Sequence, residues 1–365
     1  MRHSKIIGSG MFMPPFVMTN EGLCRIFPTG KLPEFNQNFD WSPEWIEKKL
    51  GIKERHFAFD FSAGKMREGF YDLDLAEKAS RNALQDANIN IDDVDVIIYA
   101  SSTPEDLMPD PGPMLMMRLG ATRANTSAFG LTTVGCGGFI YAMIIANSLI
   151  VSGQAKTVLI SASTSTSSYA VCYYENGITA ERQRALMARD RFNASLFGDG
   201  AGAMILQKSK PHSPEKFLAT YWGADGANNF ATFKGGSRNP AIIESVLSGV
   251  HYFNLDAPMV QKKAPAYFER TVHEVLKNAN MSIQDINYFV FHQINKVILE
   301  KLTSRLGIPP EKTTIHVDRF GNLDTATLAV GFHEAKTANK IQSGNLVLFS
   351  ALGAGLQYGS AIIRI

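Results

Sequence analysis

The chemistry of this chain starts at Cys136. It lies in Thr132-Thr133-Val134-Gly135-Cys136-Gly137-Gly138, between an apolar run that ends at Val134 and a long apolar stretch from Phe139 to Val151. That pattern predicts a strand, a tight glycine turn and a buried helix, with the thiol at the helix N-terminus. Unpaired N–H groups and the positive end of the helix dipole there favour the thiolate, the nucleophilic form. A buried, inert cysteine is the plainer alternative. Phe291-His292-Gln293-Ile294-Asn295 puts an imidazole just after an apolar strand, a place that structural histidines also occupy. Phe320-Gly321-Asn322-Leu323-Asp324-Thr325 presents the Asn322 amide from a glycine turn, ahead of a small-residue helix from Thr325 to Ala335. An asparagine selected for a turn or a helix cap has the same spelling. Leu352-Gly353-Ala354-Gly355 lets backbone N–H groups approach a ligand closely. Phe197-Gly198-Asp199-Gly200-Ala201-Gly202 lacks the Lys-Ser/Thr of a phosphate loop and reads as a tight structural turn.

The elements that must position these groups occur twice. Ala87-Asn88-Ile89-Asn90-Ile91-Asp92-Asp93-Val94-Asp95-Val96-Ile97-Ile98-Tyr99 matches the apolar pattern of Ala279 to Phe291 at a constant offset of 192 residues. A helical pattern precedes each copy, Leu75 to Leu84 and Tyr267 to Leu276. Val158 to Ala162 is echoed by Val347 to Ala351, and Gly202 to Leu206 by Gly359 to Ile363. Uncharged strands alternating with helices predict an α/β fold with strands buried on both faces. Two related halves, 1–210 and 211–365, would share a core. Ligands in such sheets bind beyond the carboxyl ends of strands, which singles out His292 and the Gly353–Gly355 turn.

Bulk properties narrow the function classes. The chain has 365 residues, 45% hydrophobic and 19% charged, and a net charge of +2, so nothing calls for nucleic acid or an anionic membrane. Cys24, Cys136 and Cys172 have no spacing that makes a disulfide framework or a zinc site, and no metal is expected. Phe139 to Val151 is too short for a bilayer span, and no signal-peptide core follows Met1, so a cytoplasmic protein is expected.

Taken together, the motifs resemble the β-ketoacyl-acyl carrier protein synthase III family of the thiolase superfamily over almost the whole chain. They include Trp45-Ile46 ahead of Gly51-Ile52-Lys53-Glu54-Arg55, the Cys136 turn, Phe197 to Ala203, His292 to Asn295, Gly321-Asn322, Gly353-Ala354-Gly355 and Tyr358-Gly359. The resemblance implies a thiolase-like fold with two duplicated halves in a five-layer α-β-α-β-α arrangement. It implies that Cys136 accepts an acyl group from coenzyme A or acyl carrier protein. A malonyl- or β-ketoacyl-type thioester then loses carbon dioxide, and its enolate attacks the acyl-Cys136 carbonyl, as in fatty acid, specialised lipid or polyketide synthesis. His292 and Asn322 become donors to the enolate oxygen, and the N–H groups of Cys136 and Ala354 the oxyanion hole. Trp45 and Lys49 match positions that grip the coenzyme A nucleotide. Met108 matches a residue that crosses a homodimer interface to close the partner's acyl tunnel. No cofactor is implied.

The chain also departs from the family. Leu323-Asp324-Thr325 replaces the usual small residues after Gly-Asn, and Val297, beside Lys296, stands where an arginine for carrier docking is usual. Phe27 to Asn38 and Ser165 to about Arg191 look inserted. These departures suggest a specialised synthase. An acyltransferase to an alcohol or amine is the nearest alternative, with His292 as general base. Thiolase chemistry needs a second cysteine in the last glycine turn, where Ser350-Ala351-Leu352 offers none. A papain-like hydrolase lacks its local signature here, and a non-catalytic partner subunit gives no reason to keep Cys136, His292 and Asn322 together.

Overall fold

The computed structural model describes residues 3–26, 41–122, 126–168, 192–233 and 253–365. The first sheet is built from β1 (Ser4–Phe12), β2 (Val96–Ser101), β3 (Ser127–Thr132), β4 (Thr157–Thr164) and β5 (Gly200–Lys208), in the order β1-β5-β4-β2-β3. The second uses β6 (Lys216–Ala224), β7 (Tyr288–Phe291), β8 (Leu346–Gly353) and β9 (Gln357–Arg364), in the order β6-β9-β8-β7.

Alternation along each strand explains the layering. Val96, Ile98 and Ala100 face a central core, while Ile97 and Tyr99 face an outer one with the helix Asp72–Ala87. In the second sheet Val347, Phe349 and Ala351 face the same central core, and Leu348 and Leu352 face an outer layer with the helix Ala257–Ala279. The helices Gly138–Ser152 and Thr327–Thr337 fill the space between the sheets. Period-two strands buried on both faces give five layers, α-β-α-β-α.

The internal repeat is visible in the backbone. The helices ending at Ala87 and Ala279 are both closed by an asparagine in the left-handed region, Asn88 at φ 53° and Asn280 at φ 53°. Val96 pairs with Val158, and Tyr288 with Val347. Ser161 pairs with Ala203, and Ser350 with Ser360. Residues related by the repeat thus pair with residues related by the repeat.

The apolar central segment is longer than the sequence pattern indicates. Counted with its leading turn, Gly135–Ser152 has the length and composition of a bilayer span. Its side chains Phe139, Ile140, Met143, Ile144 and Ile150 are instead buried between the sheets, so its apolarity serves the core.

Candidate active site

Four segments converge beyond the carboxyl ends of the strands. Cys136 lies in a single 3-10 turn, Gly135–Gly137, between β3 and the helix Gly138–Ser152. The last glycine turn presses against it backbone to backbone. A Cβ on Gly353 would sit 2.5 Å from the Val134 carbonyl oxygen and 2.6 Å from the Gly137 nitrogen, so no side chain fits there. This contact brings Ala354 beside the nucleophile turn.

His292 directly follows β7, and its N–H donates to the Ser350 carbonyl at 2.8 Å. Gln293 clamps the neighbouring loop, accepting from the N–H groups of His316 at 2.9 Å and Val317 at 3.0 Å and donating to the Thr314 carbonyl. Asn295 accepts from the Ile298 N–H at 2.8 Å and caps the helix Lys296–Arg305. His292 itself is 2% exposed, and neither of its ring nitrogens has a hydrogen-bond partner among the described residues. A buried, unpaired imidazole costs stability unless a ligand supplies its partner. Burial holds its pKa down at about 3, so the ring is neutral in ordinary buffer.

Asn322 is held by the Phe197-Gly198-Asp199 turn. The Asn322 N–H donates to the Leu196 carbonyl at 2.8 Å, and the Gly198 N–H donates to the Asn322 carbonyl at 3.1 Å. A Cβ on Gly198 would lie 2.0 Å from the Phe320 carbonyl oxygen, which explains the glycine. The turn therefore is structural, with a specific task. Asp199 anchors it in turn, accepting from the N–H groups of Ala58 at 2.7 Å and Ser167 at 2.8 Å. The Asn322 side-chain oxygen accepts from the Asp324 N–H at 2.9 Å, which leaves the NH2 end as its donor.

Cys136, His292, Asn322 and Ala354 line one cavity of about 230 Å³. Its remaining walls are largely apolar, among them Leu196, Phe197, Phe253, Leu255 and Leu352. A second cavity of about 480 Å³ holds Trp45 and Lys49. The two share Leu196, Leu255, Val260 and Ile294 as a common wall, so the helix Pro43–Leu50 borders a cavity that adjoins the one holding Cys136. Val297 is 36% exposed and lines the second cavity. Met108 is 87% exposed and lines neither cavity of its own chain.

Two influences act on the thiol in opposite directions. Position at a helix start favours the thiolate, while desolvation in the cavity and the Asp324 carboxyl push the Cys136 thiol up. Sequence reading singled out Asp324 as a departure beside Asn322 but missed Ser102 and Thr103; all three line the same cavity. Thr103 donates at 3.0 Å to Asp72, a buried carboxyl that also accepts from Ser101 and Tyr99. Burial raises the Asp72 pKa to about 7. Tyr169, Tyr173, Tyr174, Cys172, the run Glu181 to Asp190 and the segment Phe27 to Asn38 lie outside the described residues. No cluster of metal-binding side chains occurs among the described residues.

Comparison with known proteins agrees with this geometry. Residues 132–226 match the family model for 3-oxoacyl-[acyl-carrier-protein] synthase III, and residues 276–365 match the model of its C-terminal part. The chain is 32% identical over 363 residues to the β-ketoacyl-[acyl-carrier-protein] synthase III of Rickettsia bellii, covering 99% of both chains. It is 33% identical over 362 residues to that of Caldanaerobacter subterraneus subsp. tengcongensis, covering 98% of this chain and 97% of the relative. The crystal structure of 3-oxoacyl-[acyl-carrier-protein] synthase III from Aquifex aeolicus superposes with a TM-score of 0.77 at 29% identity, covering 99% of this chain and 100% of that one. With a thiolase fold, a cysteine turn packed on the last glycine turn and full-length identity above 30%, the chain belongs to the β-ketoacyl-acyl carrier protein synthase III family of condensing enzymes.

Proposed function

We propose that this enzyme carries an acyl group as a thioester on Cys136 and condenses it with a malonyl-type thioester in fatty acid, specialised lipid or polyketide synthesis. The observation that carries the reading is the shared cavity of Cys136, His292 and Asn322. Acylation joins the thiol sulfur to the acyl carbon and releases the carrier thiol. The N–H groups of Cys136 and Ala354 are the donors for the tetrahedral oxyanion; losing one such donor typically costs about 3 kcal/mol in barrier.

Decarboxylation of the second substrate leaves an enolate, which needs donors rather than a strong base. His292 is neutral and unpaired, and Asn322 has its oxygen tied down and its NH2 free to donate. Both suit that task. Carbon–carbon bond formation to acyl-Cys136 then expels the sulfur.

Trp45 and Lys49, in the adjoining cavity, grip the nucleotide end of an acyl or malonyl coenzyme A, the indole by stacking and the ammonium by phosphate attraction. Acyl carrier protein is an alternative donor, with Val297 in place of the usual docking arginine. The exposed Met108 fits a homodimer in which it reaches the partner's acyl tunnel. The chain divides into two related halves, 1–210 and 211–365, that share one core, and the enzyme is cytoplasmic and needs no cofactor.

The test is to incubate the protein with an acyl-coenzyme A series, locate the adduct by peptide mass spectrometry, then add malonyl thioester and measure carbon dioxide and product. An adduct on Cys136 followed by carbon dioxide release supports the reading. An adduct transferred to an alcohol or amine without carbon dioxide release overturns it.

A further inference from the structure

The last glycine turn is held from a side that the mechanism does not use. The β8–β9 register ends with Gly353 opposite Gln357, so Ala354, Gly355 and Leu356 form the connecting turn outside the ladder. Glycines flank Ala354 on both sides, and Gly355 has φ 124°, a region open to glycine. Backbone with that freedom aims an N–H group only when a neighbour restrains it.

The segment after β6 supplies the restraint. Ala224 pairs with Gln357 as the last rung between β6 and β9. One step on, Asp225 exchanges two backbone hydrogen bonds with Leu356, at 2.7 and 3.0 Å. The Asn229 side-chain oxygen then accepts from the Gly355 N–H at 3.1 Å and from the Ala231 N–H at 3.3 Å. Two backbone donors converging on one atom require it to be the amide oxygen. These bonds take up the N–H groups of Gly355 and Leu356. Ala354 lines the cavity with Cys136, and a Cβ on Gly135 would come 2.8 Å from its nitrogen.

Asn229 stands on a fixed base. The Asp225 carboxylate accepts from the Ala227 N–H at 3.1 Å and the Asn228 amide at 2.8 Å. It also accepts from the Tyr267 hydroxyl, and Lys263 donates to Asn228. Tyr267 and Lys263 belong to the helix Ala257–Ala279, so the loop is tied to the outer layer. Directly after Asn229, Phe230 and Ala231 join the wall of the Cys136 cavity.

We propose that Asn229 is a positioning residue for acyl transfer: its bond to Gly355 fixes the last glycine turn so that the Ala354 N–H meets the oxyanion formed at Cys136. The proposal rests on the acyl-Cys136 reading above, in which that N–H is an oxyanion donor. Asn229 is exposed and lines neither cavity, so it acts through the turn.

The test compares two reactions of the same sulfur in wild type, Asn229→Ala and Asn229→Asp. Acylation by acyl-coenzyme A passes through a tetrahedral oxyanion, whereas alkylation by iodoacetamide does not. In Asn229→Ala the saturating single-turnover acylation rate should fall about tenfold, less than the roughly 10²–10³ of a donor removed outright. The half-saturating acyl-coenzyme A concentration and the alkylation rate should stay within about twofold of wild type. Asn229→Asp keeps an oxygen for the Gly355 N–H and should restore acylation to within about threefold of wild type. Unchanged acylation in Asn229→Ala overturns the proposal. An equal fall in acylation and alkylation also overturns it, since the loop would then only place the thiol. So does an Asn229→Asp variant no faster than Asn229→Ala. Wild type that forms no Cys136 adduct defeats the acyl-enzyme reading itself, and the proposal with it.

Discussion

The two halves of the molecule use the same helix–strand corner for opposite purposes. In the first half the helix Asp72–Ala87 brings Asp72 against Tyr99, and Ala100 follows. At the repeat offset of 192 residues the equivalents are Ala264, Phe291 and His292. Tyr99, Asp72 and Ala100 are buried, and so are Phe291, Ala264 and His292. One half thus carries a polar pair behind the strand and, at the position of the imidazole, an alanine packed in the central core; the other is apolar behind and carries the imidazole. Both strand ends reach the cavity, the first through Ser102 and Thr103, and only the second brings an imidazole to it. Strand register sets the framework, while the chemistry depends on single side chains at its edge.

Making each half resemble the other tests this directly. His292→Ala turns the second strand end into the first, and condensation measured with malonyl thioester should fall about 10²–10³-fold, the scale of a lost oxyanion donor. Acylation of Cys136 should persist. Equal loss in both half-reactions would break the assignment of His292 to the second step.

The converse change is Asp72→Ala with Tyr99→Phe. Asp72→Ala alone removes the shared acceptor of Tyr99, Ser101 and Thr103, and should cost about 2–4 kcal/mol in urea unfolding. Adding Tyr99→Phe should then cost about 1 kcal/mol less than it does in wild type, because its bond to Asp72 is already gone and only the Ser163 bond at 2.8 Å remains to be lost. Strict additivity would show that the pair is not coupled.

The same corner gives the halves opposite pH behaviour. Asp72 titrates at about 7 in the folded protein, against roughly 4 unfolded. Between those values the folded state holds a proton that the unfolded state lacks, so this group's stabilisation is lost as pH rises from about 4 to 7. His292 and His316 titrate at about 3 folded, against roughly 6.5 unfolded. There the unfolded state holds more protons, so stability increases with pH across that window. Asp72→Asn should therefore gain relative to wild type by a few kcal/mol between pH 4.5 and pH 8. A constant difference across pH would place the carboxyl's titration in the ordinary range.

The smallest effect is expected farthest from the strand ends. Lys49→Ala should raise KM for acyl-coenzyme A about threefold, with kcat unchanged, as for an exposed charge screened by solvent. No change in KM would remove Lys49 from the nucleotide site.

Much of this arrangement is legible in the sequence because it rests on periodic and local signals. The 192-residue repeat announces itself in apolar alternation, and Cys136, His292 and Asn322 stand beside glycines or strand ends. Asp324 also stands out as a polar departure next to Asn322. Its place in the wall of the Cys136 cavity does not, since that depends on a left-handed backbone at one residue and on Thr325 reaching the first sheet. The Asp72 cluster was illegible for a related reason. Its members come from a helix start and a strand end about thirty residues apart, and nothing in composition marks them as meeting. The desolvation acting on the thiol was illegible as well, because a helix start is a local feature, whereas desolvation is set by everything that closes over the sulfur.

The most direct test of the account is a single-turnover experiment on the His292→Ala, Asn322→Ala double variant, with acyl-coenzyme A followed by malonyl thioester. Intact mass and peptide mapping should find the acyl group on Cys136 at full occupancy, with no carbon dioxide or condensation product above background. Normal product formation, or an acyl group carried by any residue other than Cys136, would contradict it.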